Sequence, residues 1–290
     1  MMKYLLCRPL GGLNDILCQI NNCYNYCEKN SRCLLIDTSY NSFFRSSFGD
    51  YFTFLNDITV NVIYDSNTIK ELINSKDFTV FPSILTNKLF TYRVEFREGC
   101  HRIVETQGDK TTNIPSNINF MQEYDEDIIV HNECGGGLGS FNILKLLRIN
   151  KWLIDEINNR YDKIEKPYTS VHIRNTDYQT NYIDLYNNNK SNLDDRNVFL
   201  ATDSKEVLDH YKNLDIKIFT FITCLNETNR PIHLTVKNND TQVIIETIYD
   251  LMILALGDNF ILPTQYYGFT RLAYTLYNNK NVVNQLLQSE

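Results

Sequence analysis

The sequence predicts an α/β protein made of two Rossmann-like domains facing across a cleft. Three observations lead there: a strand, glycine turn, helix and strand open the chain; an α/β pattern restarts beyond Pro167; and Gly135-Gly136-Gly137-Leu138-Gly139 lies between the two. The length of 290 residues is about twice a usual domain of ~150, which suits two packed halves.

Residues 3–7 read as a short buried strand. Gly11-Gly12 breaks it, and Leu13, Ile16, Ile20, Cys23, Tyr24 and Cys27 recur at helical spacing before a second strand at Cys33-Leu34-Leu35-Ile36. The glycine turn sits at the carboxyl end of the first strand, where α/β proteins bind ligands. Tyr40, Phe43, Phe44, Phe48, Tyr51, Phe52 and Phe54 fit core packing, with a sugar-stacking surface as the alternative. Residues 57–125 show no clean period. A buried strand is expected over 127–131, then a hinge at the glycine run, with a domain boundary near 140.

A helix over 141–161 is expected to bridge the halves and bury Ile143, Leu146, Leu147, Trp152 and Ile157. The second half reads as strands over 169–173, 198–201 and 216–221, with a helix over 204–211. A long helix starts near Gln242, with Ile244, Ile245, Ile248, Leu251, Met252 and Ala255 as its apolar stripe. Asp250 falls roughly opposite that stripe, facing solvent unless a ligand lies there. A strand over 259–262, a loop over 264–268 and a helix holding Phe269, Leu272, Ala273, Leu276 and Tyr277 complete the pattern.

Composition narrows the function. With 43% hydrophobic residues the chain can build a core, and a net charge of -7 repels phosphate backbones and anionic membranes, so no nucleic-acid partner is expected. Neither a secretory apolar core nor a membrane-spanning run is present, which predicts a cytoplasmic protein without a transmembrane segment. Five of the eight cysteines (Cys7, Cys18, Cys23, Cys27, Cys33, Cys100, Cys134, Cys224) crowd before position 34 without a CxxC pair. Cys23 and Cys27 lie one helical turn apart on an apolar stripe and read as core, not as metal ligands. Hydrolase readings lack a GxSxG, and His101, His131, His172, His210 and His233 show no HExxH spacing. A nicotinamide oxidoreductase, suggested by the first βαβ unit and Asp37, lacks the GxGxxG fingerprint.

The chemistry concentrates in two places. His172-Ile173-Arg174-Asn175-Thr176-Asp177 ends the first strand of the second half, where a guanidinium fork can bridge phosphate oxygens; the alternative is an ordinary loop with Arg174 paired to Asp177. The loop over 264–268 leads into the last helix, whose free N–H groups suit an anion, with a plain helix cap as the alternative.

Together these blocks resemble the fucosyltransferase-like glycosyltransferases of the GT-B fold that carry an HxRxxD signature, nearest to the α1,6-fucosyltransferases and their rhizobial chitin-oligosaccharide relatives. Val171 to Asp177 resembles the family's VHxRRTD, and Val198 to Asp203 its VxLATD. Asp250-Leu251, Gly257 to Ile261 and Arg271 to Tyr274 resemble its last block, and Gly11-Gly12-Leu13 with Gln19 its acceptor-side glycine loop. The resemblance implies an inverting transfer of fucose from GDP-fucose to a glycan. Residues 1–140 would be the acceptor side, with Gly11, Gly12 and Asn14 in its loop. Residues 141–290 would bind the nucleotide sugar through His172, Arg174, Asp203, Asp250, Thr264, Tyr267 and Gly268.

Arg174 would meet the β-phosphate and Asp250 the guanine N1 and N2 donors, which uracil lacks. Arg174, Asp15 and Asp177 are the catalytic candidates, the two carboxylates as bases. No cofactor or metal is required if arginine and a helix end supply the positive charge, so Asp125-Glu126-Asp127 reads as a turn before a strand. The sequence departs from the pattern at Asn175, in place of a second arginine, near Tyr182, in place of a glutamate, and at Tyr266 and Tyr267, in place of serines. Another donor such as UDP-xylose, or a glycan-binding pseudoenzyme, is therefore the alternative.

Overall fold

The computed structural model describes residues 2–75, 77–107, 110–223 and 241–288. Cys224 and His233 lie outside the described residues. The chain divides into two compact units, Met1–Asp50 with Phe54–Leu146, and Tyr51–Thr53 with Leu147–Glu290.

In the first unit Tyr4–Cys7 (β1) is apolar and buried at every position, as a strand covered on both faces must be. It pairs in parallel with Cys33–Ile36 (β2) on one side and Ile128–His131 (β9) on the other. Val62–Ile63 (β4) extends the sheet beyond β2 and Val80–Phe81 (β5) beyond β9, giving the order β4-β2-β1-β9-β5. Leu13–Asn30 (α1) connects β1 to β2 and buries Leu13, Ile16, Ile20, Cys23, Tyr24 and Cys27, the stripe read from the sequence. Its start is fixed by Asp15, whose Oδ2 accepts the Gly12 N–H at 3.3 Å, the carboxylate half of a capping box. Gly11 holds φ +93, and a Cβ there would lie 2.9 Å from Asp15, so the turn needs glycine.

Ser66–Asn74 (α2) is capped by Asp65, which accepts the Thr68 N–H at 2.7 Å. The unread stretch holds an antiparallel ribbon of Arg93–Arg97 (β6), Cys100–Gln107 (β7) and Lys110–Pro115 (β8).

The expected helix over 141–161 is instead three elements: Gly139–Leu144 (α3), Leu147–Ile149 (β10) and Lys151–Asp162 (α4). Leu147–Ile149 pairs with Phe52–Phe54 (β3), and the extended Asn150 between them starts α4. The apparent single period was two short helices in sequence. Trp152, expected inside, is 47% exposed and meets Tyr51 with ring centroids 6.4 Å apart.

The second unit is built on a four-stranded sheet. Tyr168–Ile173 (β11) is buried throughout and pairs in parallel with Asn197–Thr202 (β12) and Asn259–Ile261 (β14), while Lys217–Phe219 (β13) adds to β12. Tyr182–Leu193 (α5) follows β11 and Lys205–Lys212 (α6) follows β12, with the Ser204 Oγ capping α6 at the Val207 N–H. Gln242–Leu256 (α7), Gly268–Tyr277 (α8) and Lys280–Leu286 (α9) complete the unit. Gly257, between α7 and β14, packs so tightly on β11 that a Cβ would lie 2.2 Å from the Ser170 Oγ. Among the described residues no helix is long and apolar enough to cross a membrane.

Candidate functional site

The carboxyl end of β11 gathers the polar groups of the second unit. Arg174, the first residue after the strand, donates from Nε and Nη2 to the Oδ1 and Oδ2 of Asp177 at 2.9 and 2.7 Å, a fork-to-carboxylate pair. Both partners remain reachable, at 37% and 35% side-chain exposure. Burial works to raise the Asp177 carboxyl, but the hydrogen bonds and charge of Arg174, with the Thr176 hydroxyl, outweigh it and hold it below its ordinary value. The pairing read as the ordinary-loop alternative is thus present, and it leaves the arginine at the surface.

Asp203, at the end of β12, sets the shape of that loop. It accepts the Asn175 N–H at 2.8 Å and the Thr176 hydroxyl at 2.7 Å, which joins the ends of two neighbouring strands. Burial raises its carboxyl in spite of those bonds. Thr180 closes the loop by donating to the Arg174 carbonyl at 2.8 Å. His172 lies behind it, buried, with Nδ1 2.7 Å from the Thr270 Oγ1 and Phe269 against its ring at 5.0 Å. Burial and the nearby Arg174 charge push its imidazole down to about 3, so it is neutral at physiological pH.

Thr270 belongs to α8, which ties the loop after β14 to the end of β11. Tyr267, the residue before α8, gives its first turn no side-chain hydrogen bond, and Gly268 starts it at φ +48. A cavity of about 370 Å³ opens between residues 178–181, the start of α5 and residues 262–265, so Thr264 lines the same recess as the chain leaving β11. Tyr178 donates to Gln265 at 3.0 Å across it.

Asp250, expected at solvent unless a ligand lay on its side of the helix, is buried. Eleven of the fifteen residues of α7 are buried, Asp250 among them at 7% exposure, because helices pack on several of its faces. Its carboxyl makes no hydrogen bond among the described residues. Burial first, and Glu246 one turn earlier, push it up to about 8, with Arg160 acting in the opposite direction. Glu246, by contrast, is satisfied by the Thr223 N–H at 3.0 Å and by Gln242 at 3.0 Å. His172, Arg174, Asp177 and Asp203 are therefore one hydrogen-bonded and charge-coupled group, while Asp250 is bonded to none of them.

The glycine-loop residues of the first unit are used locally. Asn14 is buried, takes the Ser140 hydroxyl at 2.8 Å and leaves its Nδ2 without a partner, while Asp15 caps α1 beside Gly11 and Gly12. Gln19 donates to the Gly135 carbonyl at 2.6 Å and meets the His131 Nε2 at 2.8 Å. Residues 125–127 form the turn into β9, with Asp127 accepting the Thr79 N–H at 2.9 Å. Among the described residues one set of metal-ligating types converges: His101, Glu133 and Cys134, with ligand atoms within 4.8 Å of one another. The Cys134 thiol is pushed up to about 11 by burial and by the charges of Glu133 and Asp15. Thr176, Thr270 and the His101–Glu133 pair were not singled out as site residues from the sequence, since each contact joins residues far apart along the chain.

No protein-family model matches the chain, and no curated protein matches it in sequence. Solved structures do match its fold. The fucosyltransferase NodZ from Bradyrhizobium aligns with a TM-score of 0.61 at 17% identity, over 95% of this chain and 92% of that one. A NodZ alpha-1,6-fucosyltransferase soaked with GDP-fucose aligns with a TM-score of 0.59 at 18% identity, over 95% and 93%. A mutant of Arabidopsis thaliana FUT1 in complex with GDP aligns with a TM-score of 0.52 at 10% identity, over 95% and 69%. The chain has the α/β fold of these enzymes, the GT-B class.

Proposed function

We propose that this chain is an inverting glycosyltransferase that moves fucose from GDP-fucose to a hydroxyl of a glycan. One observation carries the reading. The second unit combines a surface arginine at the carboxyl end of a central strand with a buried carboxylate that has no hydrogen-bond partner among the described residues. The first suits a diphosphate, and the second, protonated in the free chain up to about pH 8, suits in its ionised form a base with two adjacent N–H donors, which guanine has and uracil lacks. That NodZ was soaked with GDP-fucose and FUT1 holds GDP on the same fold supports the choice of nucleotide.

In this reading the residues beyond 140 hold the donor and those before it the acceptor. Arg174 exchanges Asp177 for the diphosphate and neutralises the charge that grows on it as the bond to the anomeric carbon breaks. The uncapped start of α8, with Thr264, Tyr267 and Gly268 leading into it, adds a second positive end, so the residues present can supply the charge without a metal. His172, neutral and fixed by Thr270, donates or accepts one hydrogen bond at the donor, and Asp203 keeps the loop in shape. The acceptor hydroxyl attacks the anomeric carbon from the opposite face and its proton passes to a carboxylate. Asp177, released by Arg174, is one candidate, and Asp15 beside Gly11, Gly12 and Asn14 is the other.

The test is release of GDP from GDP-fucose by the purified chain, with and without a panel of glycans. Acceptor-stimulated release that disappears in Arg174→Ala supports the assignment. Release of UDP from UDP-xylose instead would keep the reaction and change the sugar, a result to which Tyr266 and Tyr267 in place of serines point. Binding of GDP with no turnover of either donor would make the chain a nucleotide- and glycan-binding protein.

A further inference from the structure

The first unit carries a pocket that the donor chemistry does not use. It lies beyond the carboxyl ends of the adjacent parallel strands β1 and β9, lined by Leu10 and Asn132 from those ends and by Tyr40, Tyr92, Phe96 and His101 from other segments, with a volume of about 320 Å³. We propose that it binds one ring of a neutral saccharide.

The aromatic walls are held in place from behind. The Arg8 guanidinium, buried on Asp37 at 2.9 Å, stacks 4.1 Å from the Tyr40 ring and 5.4 Å from the Tyr92 ring. Both tyrosine hydroxyls are engaged, Tyr40 with the Phe90 carbonyl at 3.1 Å and Tyr92 with the Asn132 Oδ1 at 2.9 Å, and the Asn132 Nδ2 donates to the Arg8 carbonyl at 2.7 Å. Rings fixed in advance lose little entropy when a ligand settles on them. Phe96 is the outer wall. It is 64% exposed on β6, faces His101 in register on β7 and meets its ring edge-on at 5.2 Å. Because Phe96 lines the pocket and its ring is largely exposed, its face is available to a ligand.

The polar wall sets the ligand's charge. His101 Nδ1 is bonded to the Glu133 carboxylate, which also accepts the His101 N–H at 3.1 Å and the Cys134 N–H at 3.0 Å. The imidazole is thereby oriented, and its Nε2 remains for a hydroxyl. None of the described lining residues is lysine or arginine, and the carboxylate behind His101 opposes an anion. Flat apolar faces with a few fixed polar groups and no available cation fit the C–H face and hydroxyls of a pyranose better than a phosphate or sulfate ester. The proposal rests on the glycosyltransferase reading only for the statement that this ring belongs to the acceptor glycan.

The test is saturation-transfer NMR on the full chain without nucleotide, using methyl β-D-glucopyranoside, methyl β-D-galactopyranoside and methyl N-acetyl-β-D-glucosaminide, with GMP as a competing aromatic probe. At least one glycoside should receive saturation, and its affinity should fall up to about tenfold in Phe96→Ala, the scale of one lost aromatic contact. His101→Gln should weaken it less, and GDP binding to the intact chain should be unchanged in both variants. No saturation of any glycoside, equal saturation in wild type and Phe96→Ala, or displacement of the glycoside by GMP would overturn the pocket. Glycoside binding in a chain that fails to bind GDP would leave the pocket standing and remove the donor reading, and the reverse result would do the opposite.

Discussion

Each unit places an arginine immediately after a central parallel strand, Arg8 after β1 and Arg174 after β11, and the two are used in opposite ways. Arg8 is 1% exposed, bonded to Asp37 at 2.9 Å and stacked beneath Tyr40. Arg174 is 37% exposed and held by Asp177, three residues along its own loop. A buried pair is fixed because either charge alone would be stranded in a poor solvent; a surface pair exchanges partners readily because water already screens it. The same residue at the same topological position therefore builds a wall in one unit and stays available to an anion in the other.

Removing the two carboxylates separates the two arginines most clearly. Asp37→Ala strands the Arg8 charge and should cost about 3–5 kcal/mol of stability in chemical denaturation, whereas Asp177→Ala should cost less than about 1 kcal/mol after allowance for solvent screening. Similar losses in both would mean that the two arginines are equally structural.

Asp250 gives the next effect, with a sign that depends on pH. Its folded carboxyl, pushed up to about 8, keeps a proton that the unfolded chain releases near pH 4. Its contribution to stability is thus complete below pH 4 and is lost as pH rises toward 8. Asp250→Asn should flatten that decline and stabilise the chain by about 2–4 kcal/mol at pH 8, read from denaturation midpoints at pH 5 and pH 8. The same variant should reduce the preference for GDP over UDP.

Arg174→Ala should weaken GDP binding by about 2–3 kcal/mol while leaving stability within about 1 kcal/mol, a split that Arg8 does not permit. The smallest effect tests where the units are alike. His131, at the end of β9, is pushed down to about 4 by burial, and His172 to about 3, so both are neutral in the fold and take up protons on unfolding below about pH 6.5. Stability should fall as pH drops from 6.5, by about 2 kcal/mol per histidine at pH 5. Replacing either by Gln should remove its share.

The legible parts of the sequence were those with a strong pattern. The runs at β1, β2, β9, β11, β12 and β14 and the α1 stripe are apolar because both faces or one clear face is buried. The ribbon of β6 to β8 was not, since residues 110–115 are almost wholly exposed and carry no alternation. Helix α5 carries no readable stripe because it buries only Leu185 and Leu193, on either side of an Asn run. Asp203 was found as a motif position, but its contacts to Asn175 and Thr176 cross between strand ends and leave no local spacing to read. A helical wheel turns Asp250 to solvent by default because it assumes one apolar face, whereas α7 is enclosed on several.

In the proposed function the second unit recognises a guanine nucleotide through a surface arginine and a buried carboxyl group. Calorimetric titration of GDP and UDP into the wild-type chain, Arg174→Ala and Asp250→Asn tests it most directly. The wild type should prefer GDP, Arg174→Ala should weaken both nucleotides together, and Asp250→Asn should remove the preference. Equal binding of GDP and UDP to the wild type, or a GDP affinity untouched by Arg174→Ala, would contradict it.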